Sequence, residues 1–396
     1  MMKHVFAILC GLLLYALPAR AEEFRAAWVA TVWNLDWPSK PALSSAAQKQ
    51  ELISLLDHAK KLGLNQIIFQ VRPAGDTLYQ SPFEPWSAFL TGSMGRPPEP
   101  FYDPLDFAVK ESHRRGLKLH AWINPFRVQS GKFSFAPNHI SRTKPQWVRR
   151  HGDHLWLDPG LPEVRQHVLK ISRDLLTRYA VDGIHIDDYF YPYPPSGQKT
   201  KTLHFPDAPT YAAYRKSGGT LTLNDWRRDN INQFVRELHS TVKSTRRDAL
   251  FGISPFGIWR PGLPEGTSAG LDAYEHLCAD SRYWLQQGWC DYFSPQLYWR
   301  IDQKEQSFPV LLKWWHEQNV RKVNLWPGIA SDRVGKDRPA SEIARQIAIT
   351  RNILDRPGHI HWSYSALREN RKGLADLLRT GVYRETIVSS LHGSMQ

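Results

Sequence analysis

The stretch on which the reading of this chain turns is Val181-Asp182-Gly183-Ile184-His185-Ile186-Asp187-Asp188-Tyr189-Phe190-Tyr191-Pro192. A short apolar run ends in two adjacent carboxylates, and three aromatic residues follow. Residues 162–179, just before it, carry a helical pattern whose Pro162 and Glu163 suit a first turn. A helix feeding a strand that releases acids at its carboxyl end is how a (β/α)8 barrel presents a catalytic site. Asp187 and Asp188 are therefore the candidate catalytic pair, and two neighbouring acids wrapped in aromatic surface point to sugar hydrolysis.

Working outward, short β-rich runs alternate with amphipathic helical stretches along the whole chain. Strands are predicted at 25–32, 64–72, 117–125, 183–189, 250–258, 291–298, 323–330 and 359–365. Helices are predicted at 45–62, 104–115, 162–179, 223–246, 279–287, 308–318, 341–354 and 373–380, with Gly63 and Gly116 placed to stop two of them. Eight such pairs predict an α/β fold, a (β/α)8 TIM barrel, over residues 22–384. Residues 76–103, 128–158 and 191–222 are rich in Pro, Gly and aromatics, and they read as long βα loops that build a cleft. Residues 385–396 read as a loose tail.

The first residues fix an expected address. Lys3 and His4 precede an apolar run at 5–17, and Ala19 and Ala21 put small residues where a signal peptidase reads. This predicts a secretory leader cleaved after Ala21 and an exported, periplasmic protein with no membrane span. Cys10 lies too early in the apolar run to suggest a lipid anchor.

The formal charge of +13 falls to +11 once Lys3 and Arg20 leave with the leader. Such a field favours polyanions, and in an exported bacterial protein cell-wall polymers qualify. No RNA-binding or helix-turn-helix pattern accompanies the aromatics, so nucleic acid is not the expected partner. Cys278 and Cys290 flank a predicted helix, which holds them beyond bridging distance.

Polar candidates gather at the predicted strand ends: Asn34 and Asp36, Arg72, Asn124 and Arg127, Ser254, Gln296 with Tyr298, and Ser331 with Asp332. Aromatics share that rim, namely Trp33, Trp37, Tyr189, Tyr191, Trp259, Trp299, Trp326 and Trp362, whereas Trp28 and Trp122 read as core. Flat apolar sugar faces stack on such rings, and the long rim suits a polysaccharide.

Adjacent side chains on a regular strand point to opposite faces, so both acids reach one ligand only where the pleat relaxes. With a 2-acetamido sugar, the substrate's own carbonyl oxygen serves as nucleophile. Asp188 then acts as acid and afterwards base, while Asp187 orients the acetamido group with Tyr298 nearby. If another strand supplies a nucleophile, Asp332 or Glu265 come next.

His359 and His361, with His185 and Asp187, raise the alternative of a metal-dependent deacetylase. A further alternative is a non-catalytic wall-binding barrel. The expected site holds no metal and needs no cofactor, since no phosphate loop, dinucleotide fingerprint or nucleophile elbow is present.

In order, Arg25-Ala26-Ala27-Trp28-Val29-Ala30-Thr31-Val32, Phe69-Gln70-Val71-Arg72-Pro73, Ala121-Trp122-Ile123-Asn124-Pro125-Phe126-Arg127, the Asp-Asp stretch, Ile253-Ser254-Pro255-Phe256-Gly257-Ile258-Trp259-Arg260 and Ser294-Pro295-Gln296-Leu297-Tyr298-Trp299 resemble the glycosyl-hydrolase-like ten family of bacterial envelope proteins. The match runs over nearly the whole chain after the leader. The resemblance implies a (β/α)8 glycosidase acting on cell-wall glycan, with peptide-stripped strands as substrate. It also implies that the Asp-Asp pair and the Gln-Xaa-Tyr-Trp segment belong to the active site. Some relatives look lipid-anchored, and this leader departs from that pattern.

Overall fold

The computed structural model describes residues 22–194 and 204–384. The expected leader, the tail at 385–396 and residues 195–203 of the loop after the fourth strand lie outside the described residues.

Eight parallel strand positions surround one axis: β1 (Phe24–Val29), β2 (Gln66–Arg72), β3 (Lys118–Ile123), β4 (Gly183–Ile186), β5 (Leu250–Ile253), β6 (Tyr292–Phe293), β7 in two pieces (Asn324–Leu325 and Gly328–Ala330) and β8 (Gly358–Trp362). Neighbours in sequence pair from β1 through β6, and β8 pairs with β1. Closure falls on the broken strand. Its first piece pairs with β6 and its second with β8.

The break is at Trp326-Pro327, where proline has no N–H to add to the ladder. Its carbonyl still accepts from Ile360 N, so the barrel is continuous through the gap. Here the fold agrees with the sequence reading.

Strand β2 ends at Arg72 as expected, while β3, β5 and β6 stop earlier than the apolar runs suggest, and proline again marks these ends. Pro73, Pro125, Pro255 and Pro295 stand one or two residues past the ends of β2, β3, β5 and β6. This leaves irregular backbone at the barrel mouth, where side chains are free of the strict pleat.

Outer helices cover the sheet: α1 (Ser45–Leu62), α2 (Pro104–Arg114), α3 (Pro162–Arg178), α4 (Leu223–Thr245), α5 (Ser281–Gln287), α6 (Phe308–Gln318) and α7 (Ala340–Ile353). Their starts follow local chemistry. Ser44 Oγ accepts from Ala47 N at 3.2 Å, and Asp103 accepts from Leu105 N and Asp106 N at 3.0 and 3.1 Å. The last predicted helix is realised as Leu374–Leu377 running into Leu378–Val382.

Two of the elements that were not expected lie in the long loops. A hairpin, Val148–His151 with His154–Leu157, stands in the loop after β3, and a helix, Ala208–Lys216, lies in the loop after β4. Both carry too little apolar periodicity to stand out from their Pro-rich surroundings.

Two apolar cores result. One lies between sheet and helices; Ala27, Val29, Ile184 and Ile186 face it from the strands. The other fills the barrel, with Phe24, Ala26, Trp28, Ile68, Trp122, Tyr292, Trp326 and Ile360. Gly183 and Gly252 make room inside. A Cβ at Gly183 would stand 2.6 Å from His120 Nδ1, and one at Gly252 would enter the Tyr292 ring. Cys278 and Cys290 are free and buried. No described helix is long and apolar enough to cross a membrane.

Candidate active site

Strand β4 ends at Ile186, whose carbonyl accepts from Ser254 N at 2.9 Å. Asp187 continues the inward series Gly183, His185, while Asp188 stands past the ladder. Both carboxyl groups line one pocket of about 310 Å³ at the strands' C-terminal ends, with Trp28, Trp33, Gln70, Trp122, Arg127, Tyr189, Tyr193, Ser254, Gln296, Tyr298 and Trp362 among its walls. The relaxed pleat beyond Ile186 is what brings adjacent acids together.

Their surroundings differ sharply. Asp187 Oδ2 accepts from Trp122 Nε1 at 3.1 Å and from Asn124 Nδ2, and Oδ1 accepts from Tyr189 N at 3.2 Å. Burial pushes its pKa up, while the Arg127 guanidinium and these donors pull it back. Asp188 Oδ2 accepts from the Tyr193 hydroxyl. Burial first, then the charge of Asp187, push Asp188 up to about 7, against hydrogen bonds from Tyr193 and Gln296. Two buried acids this close do not both ionise easily. Asp187, with more donors and a cation nearby, is the easier of the two to ionise, and Asp188 is the one pushed toward holding a proton.

The floor of the pocket is indole. Trp362 meets Trp28 and Trp122 edge-on, each at 6.2 Å between centroids. Trp28 Nε1 donates to His185 Nε2 at 3.1 Å, and Ser254 Oγ lies 2.9 Å from the same nitrogen. With Nε2 accepting, His185 carries its proton on Nδ1 and donates to the Tyr292 hydroxyl at 2.9 Å, which donates to His120 Nδ1 at 3.1 Å. Burial pushes both imidazoles down, His120 to about 4, so this interior line is neutral.

A second line braces Asp187. Gln70 Oε1 accepts from Thr31 N and Val32 N, and Gln70 Nε2 donates to Asn124 Oδ1 at 2.7 Å. Asn124 then presents its amide to Asp187.

Of the predicted site residues, Asp187, Asp188, Tyr298, Arg127, Tyr189, Gln296 and Trp362 line the pocket, as do Ser254 and Trp33 from the predicted rim. Asn124 sits directly behind Asp187. The others are elsewhere. Asn34 donates to Pro38 O and Phe89 O, tying two loops together. Arg72 is fully buried, paired with Glu84 and donating to Pro125 O, because a register shift between Gln70 and Arg72 breaks the inward series. Tyr191 is buried against Phe205 and borders a different cavity.

Trp259 donates to Asp280 and meets Tyr274 edge-on, outside the pocket. Trp299 meets Phe256 edge-on. Trp326 stacks on Phe24 at 3.8 Å, deep inside the barrel, and donates to Arg356 O. Trp37 is buried and donates to Gln48 O. Neither Asp332 nor Glu265 lines the pocket. Asp36 accepts from Ala30 N and Ser365 N, joining the loops after β1 and β8.

The histidines expected as possible metal ligands fall in two separate places. His359 and His361 lie on the outer face of β8 and share the Tyr383 hydroxyl, each at 2.7 Å, while His185 faces inward. Among the described residues no group of three His, Cys, Asp or Glu side chains is arranged to hold a metal.

Trp28, Trp122, Gln70 and Tyr193 complete the pocket without having been singled out for it. The first three lie on the inward alternation of β1, β3 and β2, which is a signal present in the sequence.

The closed barrel with a paired-acid pocket at its C-terminal mouth defines a (β/α)8 protein of the glycoside hydrolase class. Residues 23–343 match the profile of the family described as Glycosyl hydrolase-like 10. The chain belongs to that family. It is 39% identical to "Glycosyl hydrolase YngK" of Bacillus subtilis (strain 168), over 96% of this chain and 77% of that one. It is 37% identical to "Glycosyl hydrolase DigH" of Escherichia coli (strain K12), over 80% of this chain and 75% of that one.

Among solved structures, the PgaB (BpsB) glycoside hydrolase domain from Bordetella bronchiseptica superposes with a TM-score of 0.58 at 14% identity, covering 90% of this chain and 99% of that one. The catalytic domain of β-amylase from Paenibacillus polymyxa does so at 0.62 and 11%, covering 92% and 99%. At such identities the likeness is one of fold.

Proposed function

We propose that this chain hydrolyses glycosidic bonds within an N-acetylated cell-wall glycan of bacteria, namely peptidoglycan strands freed of their stem peptides, after export and loss of residues 1–21. The observation that carries this reading is the unequal acid pair over an indole floor, with Asp187 held by Trp122, Asn124 and the Tyr189 backbone and Asp188 by the Tyr193 hydroxyl. Asp188 protonates the leaving oxygen as the bond to the anomeric carbon breaks. The substrate's acetamido oxygen forms the new bond to that carbon, and Asp187 accepts a hydrogen bond from the acetamido N–H. Tyr298 lines the same pocket. Water, deprotonated by Asp188, then attacks the anomeric carbon, opens the intermediate and restores the acid.

The substrate class rests on chemistry at the walls. The indoles of Trp28, Trp122 and Trp362 form an apolar cup for a methyl group and a sugar face. Arg127 brings a cation to the pocket, and a muramic acid residue without its peptide offers a free carboxylate. The charge of +11 left after the leader is removed favours the same anionic polymer.

Purified protein incubated with peptide-free glycan strands should release fragments whose masses report the bond cut. Asp188→Asn should still bind the strands while turnover falls by about a hundredfold or more. Silence on the strands with activity on neutral glucans would remove the proposed substrate, and full turnover by Asp188→Asn would remove the proposed acid.

A further inference from the structure

We infer that Trp33 is a stacking platform for the sugar ring next to the one held over Asp187 and Asp188, so that the site grips a polymer. This rests on the glycan reading above and adds a second ring-binding position to it.

Trp33 is the most exposed tryptophan among the large apolar side chains, at 61%, and it lines the same pocket as the two acids. Leu35, 48% exposed, borders that pocket beside it. An indole left in water contributes little to the fold. Its only ring neighbour among the described residues is Phe89, 6.0 Å away and tilted by 55°.

The backbone goes out of its way to keep it there. Trp33 has φ +58° and Asn34 has φ +53°, two successive residues in the left-handed region that a bulky side chain rarely enters. The bend is held from both sides. Asn34 Nδ2 donates to Pro38 O at 2.9 Å and to Phe89 O at 2.8 Å, and Asp36 N donates to Ala30 O at 2.9 Å. Asn tolerates this conformation and Trp does not, so the strain falls on the residue that is displayed. A strained turn, doubly anchored and presenting a solvent-exposed indole to the catalytic pocket, has the chemistry of a sugar-face receptor. Continuity with the acid pair commits its occupant to the neighbouring ring of the same glycan.

The test uses the whole protein with peptide-free glycan strands sorted by length and with a short chromogenic glycoside that fills only the position at the acids. Trp33→Ala should lower kcat/KM on long strands about tenfold, chiefly through KM, and lower it on the short glycoside by a clearly smaller factor. Trp33→Phe should recover most of the loss. Asn34→Ala, which keeps the indole and releases its anchor, should show the same length-dependent defect in weaker form. Equal effects on both substrates, or no effect on long strands while the wild type cleaves them, would overturn this inference alone. A wild type inert on every length would overturn the glycan reading and this one with it.

Discussion

At the scale of single residues, two neighbours of identical chemistry are made different by what surrounds them. Asp187 receives Trp122, Asn124 and the Tyr189 backbone, with Arg127 close by, whereas Asp188 has Tyr193 and Gln296 and faces its neighbour's charge. An aspartate whose folded pKa stands at about 7, against about 3.9 in the unfolded chain, binds its proton more tightly when folded. Its favourable contribution to stability is therefore complete below about pH 4 and is lost as pH rises to about 7. Asp188→Asn should accordingly be more stable than the wild type at pH 8, by an amount on the order of a few kcal/mol, and the gap should close toward pH 4. Denaturant unfolding at pH 4, 6 and 8 reads this directly; a gap independent of pH would mean that Asp188 titrates normally. By the same sign, kcat/KM should fall on the alkaline side of about pH 7 as the acid loses its proton.

At the scale of elements, the alternation of side chains carried more information than the list of strand-end residues. Counting by twos inward along β1, β2, β3 and β4 gives Trp28, Gln70, Trp122 with Asn124, and Asp187, all at the pocket or touching it. Arg72 would continue that count, and the register shift after Gln70 turns it aside into a pair with Glu84. No local pattern announces such a shift, so it was not legible. The buried pair bolts the loop after β2 to the end of β3 through Pro125 O. Replacing Arg72 by Met should leave Glu84 charged and buried, at a cost of about 3–5 kcal/mol, with Arg72→Met combined with Glu84→Gln substantially less damaging. Thermal melts of the single and double variants check it, and near-additive losses would show that the two side chains are not coupled.

At the scale of the whole molecule, closure of the barrel brings chain segments far apart in sequence onto each other. Glu23 is held by Arg25 and Arg351 and lies well below the usual carboxylate range, at about 2. Tyr383, near the end of the described chain, bonds both His359 and His361 on the outside of β8, and Arg25 lies over its ring. Tyr383→Phe should strip a shared partner from two buried imidazoles and cost about 1–3 kcal/mol, with kcat/KM unchanged because none of the three residues lines the pocket. A loss of activity without loss of stability would mean that this outer cluster acts on the pocket from the far side of the sheet.

The amino-acid sequence by itself determined the eightfold alternation of strand and helix, the placement of paired acids at the end of the fourth strand, and the polar and aromatic enrichment of the strand ends. These follow from periodicity, caps and proline positions, which are local and survive in one dimension. Only the tertiary structure decided which rim residues share a pocket, that Trp326 turns into the barrel and Tyr191 away from the acids, and that His359 and His361 face outward. Those outcomes depend on register shifts, on where proline ends each ladder and on which segments meet at closure, and such long-range contacts leave no periodic mark on the chain.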